Sequence, residues 1–416
     1  MKTKKTIIDS IGSLFLFGLI LLTLGVSCSK DNNSIKPTDF GTLYAEITAA
    51  QKVLSTTTEG ILPGQHSAGA IATLEGAIAT ADAVINQGGT AITPSQEAAA
   101  TVTLTAAVTT YQSSVVAIDP PGTVYVAGSG IGTELWRNGV AISLPGTGFS
   151  YANSVYVTGS GVYVAGRDSV GVKLWVNGVP TSLTTFATAN SVFVSGSDVY
   201  VAGGGIDRPI SLAGVWVNGV PTTLTQQGSA NSVYITGSGV YVAGEVDGEN
   251  IATVWKNGVA TFLGDGINYI ATAYSVFVLG SDVYVAGTVS GTMGNVATVW
   301  KNGVATSLTD GASSPSIAFS IFVSGSDVYV AGAESSTGPD PAPWNVNSIA
   351  TIWKNGVATS LTDGTYGAMA NSVFVAGSDV YVAGTDRGVA ILWKNGVATA
   401  LSSVYWSTAN SVFVTK

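Results

Sequence analysis

The chain has 416 residues, a formal net charge of −9 and only 10% charged side chains. A charge-poor acidic balance argues against a nucleic-acid partner, which would need a basic face for its phosphates. One cysteine, Cys28, excludes an internal disulfide, and one histidine, His66, excludes a histidine-built metal centre or catalytic triad.

Met1-Lys2-Thr3-Lys4-Lys5 is a basic start, followed by an apolar run from Ile11 to Gly25. A run of about fifteen residues is short for a membrane span, which needs about 20, and suits a signal peptide. The run ends at Leu24-Gly25-Val26-Ser27-Cys28. This resembles the lipobox of bacterial lipoproteins, with the favoured leucine one place early and Gly25 at the third place before the cysteine. The tail Ser29-Lys30-Asp31-Asn32-Asn33-Ser34 resembles the Lys-Asp-rich export tag of surface lipoproteins in some Gram-negative bacteria. The resemblance implies a signal peptide over 1–27, then a lipidated Cys28 and tether over 28–40. It also implies the membrane as a partner, with an outer-membrane, cell-surface location. Acyl chains contribute about 0.8 kcal/mol per buried CH₂, enough in sum to hold a soluble domain.

From residue 41 to 118 the pattern is helical. Leu43, Ile47, Ala50, Val53 and Leu54 share one face at 3.6 spacing. Ser67 reads as the N-cap of a second helix with Ile71, Leu74, Ile78, Ala81 and Ile85 inward. Thr93 caps a third, with Pro94 at its first position and Val102, Leu104, Val108, Tyr111 and Val115 as its apolar residues. Three such helices predict a small antiparallel bundle. Glu59-Gly60, Pro63-Gly64-Gln65 and the Ala/Ile-rich helix after them resemble the FIVAR module of surface and cell-wall proteins, which often has an aromatic where His66 stands. The resemblance implies a surface module, read here as a spacer between membrane and propeller, with His66 tucked against the bundle. Asp119-Pro120-Pro121-Gly122 marks the boundary, since two prolines neither continue a helix nor enter a central strand.

Residues 122–416 are a repeat. Trp353-Lys354-Asn355-Gly356-Val357-Ala358-Thr359-Ser360-Leu361 has close copies at Trp136, Trp175, Trp216, Trp255, Trp300 and Trp393, roughly forty to fifty residues apart. Each copy follows a Val-Tyr-Val-Ala-Gly pentad and precedes a segment such as Asn371-Ser372-Val373-Phe374-Val375. One unit holds four strand-like segments, Asn371–Val375, Val380–Gly384, Ala390–Lys394 and Val397–Leu401. The first two are joined through Gly377-Ser378 and the last two through Asn395-Gly396, the strongest short hairpin signal. This predicts an all-β, seven-bladed β-propeller of four-stranded blades. The first repeat lacks its opening segment, and Asn410-Ser411-Val412-Phe413-Val414 at the other end supplies it. The C-terminal strand is therefore expected to close the ring as the innermost strand of the first blade, leaving no open edge, and a monomer is expected. The seven tryptophans are expected between blades.

Both hairpin turns of a blade point one way and are nearly constant. The loops of variable length gather on the opposite face, which collects the aromatics Phe149, Tyr151, Phe186, Tyr269, Tyr366, Tyr405, Trp406 and Trp344. Charged residues there include Arg167-Asp168, Asp207-Arg208, Glu245-Val246-Asp247-Gly248-Glu249, Asp340 and Asp386-Arg387. Loops on a rigid scaffold are where binding residues concentrate. Tyr151, Phe186, Tyr269, Trp344, Tyr366, Tyr405 and Trp406 are the candidate ligand-binding residues, for a carbohydrate or a protein. No nucleotide-binding, serine-hydrolase or zinc-protease motif occurs, so no catalytic residue, cofactor or metal site is expected. Glu245, Asp247 and Glu249 read as a solvated acidic loop rather than a calcium site. Asp198, Asp282, Asp327 and Asp379 read as turn residues. A carboxylate-based propeller glycosidase or lyase, or a purely structural adhesive scaffold, are the alternatives.

Overall fold

The computed structural model describes residues 41–416, except 56–57, 61, 87–91, 118, 131, 160, 184–186, 208–209, 247–250, 264–269, 292–293, 311–313 and 336–346. Helices α1 (Gly41–Leu54), α2 (Ala70–Ile85) and α3 (Pro94–Ser113) pack around Leu43, Ile47, Leu74, Ile78, Leu104 and Tyr111. Thr93 caps α3 in a reciprocal box with Gln96. Ser67 does not cap α2. The helix starts after Gly69, and the Glu59 carboxylate accepts from the N–H groups of Gly69 (3.0 Å) and Ile71 (2.5 Å). A carboxylate there satisfies two orphan donors and faces the positive helix end. Val102 and Val115 are exposed rather than inward. Val102 falls nearly opposite the Leu104–Val108–Tyr111 stripe at helical spacing. His66 is buried, stacked on Tyr111 with ring centroids 3.8 Å apart, its Nδ1 2.8 Å from the Tyr111 carbonyl oxygen. No described helix is long and apolar enough to cross a membrane.

Seven four-stranded antiparallel sheets form a closed β-propeller. Blade 1 joins Thr408–Val414 to Val124–Ser129, Thr133–Arg137 and Val140–Ser143, so the C-terminal strand does close the ring. Blades 2 to 7 begin at Tyr151, Ala187, Gly228, Ala271, Ser316 and Ala368, each with its four strands in chain order from the inside out. At the outer hairpins, asparagines such as Asn355 and Asn395 have φ of 53° and 51°, each followed by a glycine at 81°, as a type I′ turn requires. At the inner hairpins, Gly196, Gly280, Gly325 and Gly377 sit at φ 60–61°. The repeat tryptophans are buried between blades.

Every inner strand carries a bulge at the residue before its serine, as between Ala370 and Ser372. Opposite each bulge lies the pentad glycine. A Cβ on Gly384 would overlap the Met369 carbonyl oxygen and press on Trp393, and its counterparts meet the equivalent carbonyl. The bulge also aims two side chains at the adjacent blade. Each inner-strand serine accepts from a backbone N–H one blade on, as in Val192 to Ser154 at 3.1 Å. The seven such bonds, 3.1–3.3 Å long, run unbroken round the ring. The bulged residue itself is Asn153, Asn190, Asn231, Asn371 or Asn410 in five blades, each donating to the next blade's alanine carbonyl at 2.9–3.0 Å. Tyr274 and Phe319 replace it in blades 5 and 6, and their rings meet at 5.6 Å.

The face bearing both hairpin turns is the hairpin face; the other is the loop face. On the hairpin face the turn aspartates have partners. Asp282, Asp327 and Asp379 bind Lys301, Lys354 and Lys394 at 2.8–2.9 Å, and each lysine lies over its blade's pentad tyrosine. Blades 2 and 3 have Val176 and Val217 at the lysine position. The helical bundle docks beside this gap. Leu62 is buried against Tyr125, Val155 and Val162 at the blade 1–2 junction, and Gln65 Nε2 donates to the Asn177 carbonyl at 2.9 Å. The expected spacer is therefore seated on the propeller. In blade 1, which has no turn aspartate, Asp119 from the linker takes that place. It binds Arg137 and accepts from the Tyr125 hydroxyl, so the linker is fastened to the ring.

Candidate functional site

Two features on opposite faces of the ring are candidates. The first is an aromatic patch on the loop face at blade 7. Blade 7's second and third strands, Asp379–Asp386 and Val389–Lys394, are joined by Arg387-Gly388, and the loops on either side of the blade fold against this turn. The Arg387 guanidinium lies 4.5 Å from the Tyr366 ring centroid, a stacking contact. Trp406 N–H donates to the Gly388 carbonyl at 2.7 Å, and the Tyr405 ring stands over the Gly388 Cα. Tyr405 and Trp406 meet edge to face at 4.8 Å. The three aromatics are half or more exposed, Trp406 most at 75%. Trp406 also has φ 71°, a left-handed conformation rare for a bulky residue. The turn that closes through Ser407 N–H to the Val404 carbonyl places Trp406 in this conformation with its indole in water, and such outliers cluster at ligand sites.

The electrostatics of the patch come from two carboxylates. Burial pushes the Asp386 carboxyl above the usual carboxylate range, with Arg387 opposing and Asp363 adding to the rise. The Thr365 amide and hydroxyl hold Asp363 below that range.

Of the seven sequence candidates, the structure brings together Tyr366, Tyr405 and Trp406. Tyr151 opens blade 2, half exposed, and has no ring contact with them. Phe186, Tyr269 and Trp344 lie outside the described residues, as do Asp247, Glu249, Arg208 and Asp340. No cluster of metal-ligating side chains occurs among the described residues.

Asp168, grouped by sequence with the exposed loop charges, is instead buried. Its carboxylate accepts from Thr147 (amide and hydroxyl), Val170 and Gly171, and lies 3.5 Å from Lys173. Burial pushes this carboxyl up, but the Val170 and Thr147 donors and the lysine outweigh it and hold it low. A depressed carboxyl stabilises at neutral pH, and the contribution fades as pH falls through its folded value. Asp168→Asn is expected to cost about 2 kcal/mol at pH 7. In thermal melts the gap from wild type should begin to narrow near about pH 4 and go on narrowing as the pH falls further.

The second candidate is a cavity of about 430 Å³ at the hairpin-face mouth of the channel. Its floor is one aromatic per inner strand, namely Tyr156, Phe193, Tyr234, Phe277, Phe322, Phe374 and Phe413. Neighbouring ring centroids are 4.6–5.1 Å apart all the way round. Pro63 of the bundle, Asp119 of the linker and Lys416 complete the wall. Sequence reasoning missed this collar, although an aromatic at one position of every innermost strand is its signal.

No family model and no curated protein matches the chain. Among solved structures, the crystal structure of the computationally designed Ika8 protein aligns with 64% of this chain and 78% of its own, at 16% identity and a TM-score of 0.37. That score is too low to bear on function.

Proposed function

We propose that this chain is a lipid-anchored cell-surface binding protein, held through Cys28 and non-catalytic, whose loop-face patch at blade 7 takes a carbohydrate. The observation that carries this reading is Trp406, strained into the left-handed region with its indole in water beside Tyr405 and the Arg387–Tyr366 stack. Exposed rings stack on the C–H faces of a sugar, while Arg387, Asp363 and Asp386 offer donors and acceptors to its hydroxyls. The docking of the bundle supports the orientation. A tether arriving through the bundle reaches the hairpin face, so the loop face points away from the membrane.

A glycan array probed with the soluble form, residues 29–416, tests the reading. Binding of at least one saccharide is expected, with Trp406→Ala lowering affinity at least tenfold, about 1.4 kcal/mol. Capture of a protein with no glycan bound would favour the adhesive reading. One observation favours hydrolysis as a second reading: burial pushes the Asp386 carboxyl above the usual range within electrostatic reach of Asp363, whose own carboxyl the Thr365 donors hold low. Product release from a bound glycan, abolished in Asp386→Asn, would establish it and overturn the non-catalytic reading.

A further inference from the structure

The cavity on the hairpin face stands apart from the loop-face patch and has its own chemistry. Adjacent collar planes differ by 42–58°. One-seventh of a turn is about 51°, so the planes stand along the channel axis, as sevenfold symmetry requires of upright rings. Rings set face-inward and side by side would need about 7 Å between centres. At the observed spacing each ring must turn at least part of an edge toward the axis, and ring edges carry the positive end of the quadrupole.

Two of the seven rings are tyrosines, from blades 2 and 4. Neither the Tyr156 nor the Tyr234 hydroxyl has a hydrogen-bond partner among the described residues, and both rings line the cavity. Burial pushes both phenols above their ordinary range, and Tyr156 is pushed further by Tyr234, so both stay neutral donors. At the rim, the Lys416 ammonium lies 6.0 Å from the Phe374 centroid. The one side-chain carboxylate on the wall, Asp119, is already neutralised by Arg137 and the Tyr125 hydroxyl. Edges, phenol donors and ammonium all favour negative charge, and a volume of about 430 Å³ suits a small molecule.

We propose that this cavity is a second binding site, for a small organic carboxylate with a slender apolar stem, lodged between the aromatic collar, the two tyrosine hydroxyls and Lys416. Titration calorimetry with sodium hexanoate tests it, with hexanol and hexylamine as uncharged and cationic comparators. Saturable hexanoate binding is expected, tighter than hexanol and at least tenfold tighter than hexylamine. Tyr234→Phe and Lys416→Gln should each weaken hexanoate at least fivefold, and Lys416→Gln should leave hexanol unchanged. Both variants remove one polar group from a cavity wall, and matching circular dichroism melts would show that they fold. Trp406→Ala should bind hexanoate normally, which separates this site from the loop-face patch. The proposal is overturned by no hexanoate binding at millimolar concentration, by hexylamine binding equally well, or by indifference to both substitutions.

Discussion

A chain truncated before Thr408 should lose the cooperative thermal transition of the propeller, or melt more than about 10 °C lower. The strand Thr408–Val414 supplies the innermost layer of blade 1, pairing with Val124–Ser129. Its removal exposes the partners of Ala409, Val412 and Val414, all buried, and takes Phe413 from the collar. Val412, Phe413 and Val414 at about 1.5–3 kcal/mol each approach the whole stability of an ordinary domain, about 5–15 kcal/mol. The Ser411 and Asn410 links to blade 2 go as well, and the Ser372 link to Val412. Adding a peptide of residues 408–416 in trans should restore part of the transition. A truncated protein that melts like the full chain would mean that the ring does not depend on its closing strand.

The second large effect is expected at a glycine. Gly384→Ala places a methyl group where the Met369 carbonyl oxygen and the Trp393 ring already lie. The bulge fixes that carbonyl and the blade interface fixes the indole, so neither yields. A cost of about 3 kcal/mol follows from overpacking at a site without slack. Calorimetry should read a fall of about 6–10 °C. Gly237→Ala is the control, because a Cβ there meets nothing within 4 Å. Equal melting of the two variants would show that the bulge is compliant.

The parts of this molecule that were legible in its sequence are those encoded locally. Asn355-Gly356 and its copies name a turn type by themselves, because the turn demands positive φ at both residues. Closure was legible by counting, since the first repeat lacks a segment that the last residues provide. The links between blades were not. Asn371 and Ser372 read as polar positions on a strand, and their partners lie on other blades, 38 and 40 residues away. Ser67 misled because it has the right chemistry for a cap, while a longer-range carboxylate, Glu59, takes the role. Asp168 misled in the opposite way: beside Arg167 in a loop-face segment it looks solvated, yet local amides and Lys173 enclose it. At the candidate patch, Tyr366, Tyr405 and Trp406 share one end because they flank blade 7 on its two sides. That they lean on the Arg387-Gly388 turn depends on backbone geometry that no periodicity reveals.

The girdle of asparagines has a consequence for how the wheel yields under load. Blade 6, Ser316–Ser360, neither receives a carboxamide from Tyr274 nor gives one through Phe319. At the level of the girdle its inner strand has serine bonds alone, to Ser275 on one side and from Ser320 on the other. Nearer the loop face, Ser316 accepts from Ala297 of blade 5 at 2.8 Å, and Ser348 exchanges bonds with Ala368 of blade 7 at 2.8 and 3.0 Å. Every other blade has a double tie on at least one flank. Shear should therefore part the inner strands at girdle level on the flanks of blade 6 first, with the loop-face bonds of Ser316 and Ser348 acting as the hinge that still holds the blade to its neighbours.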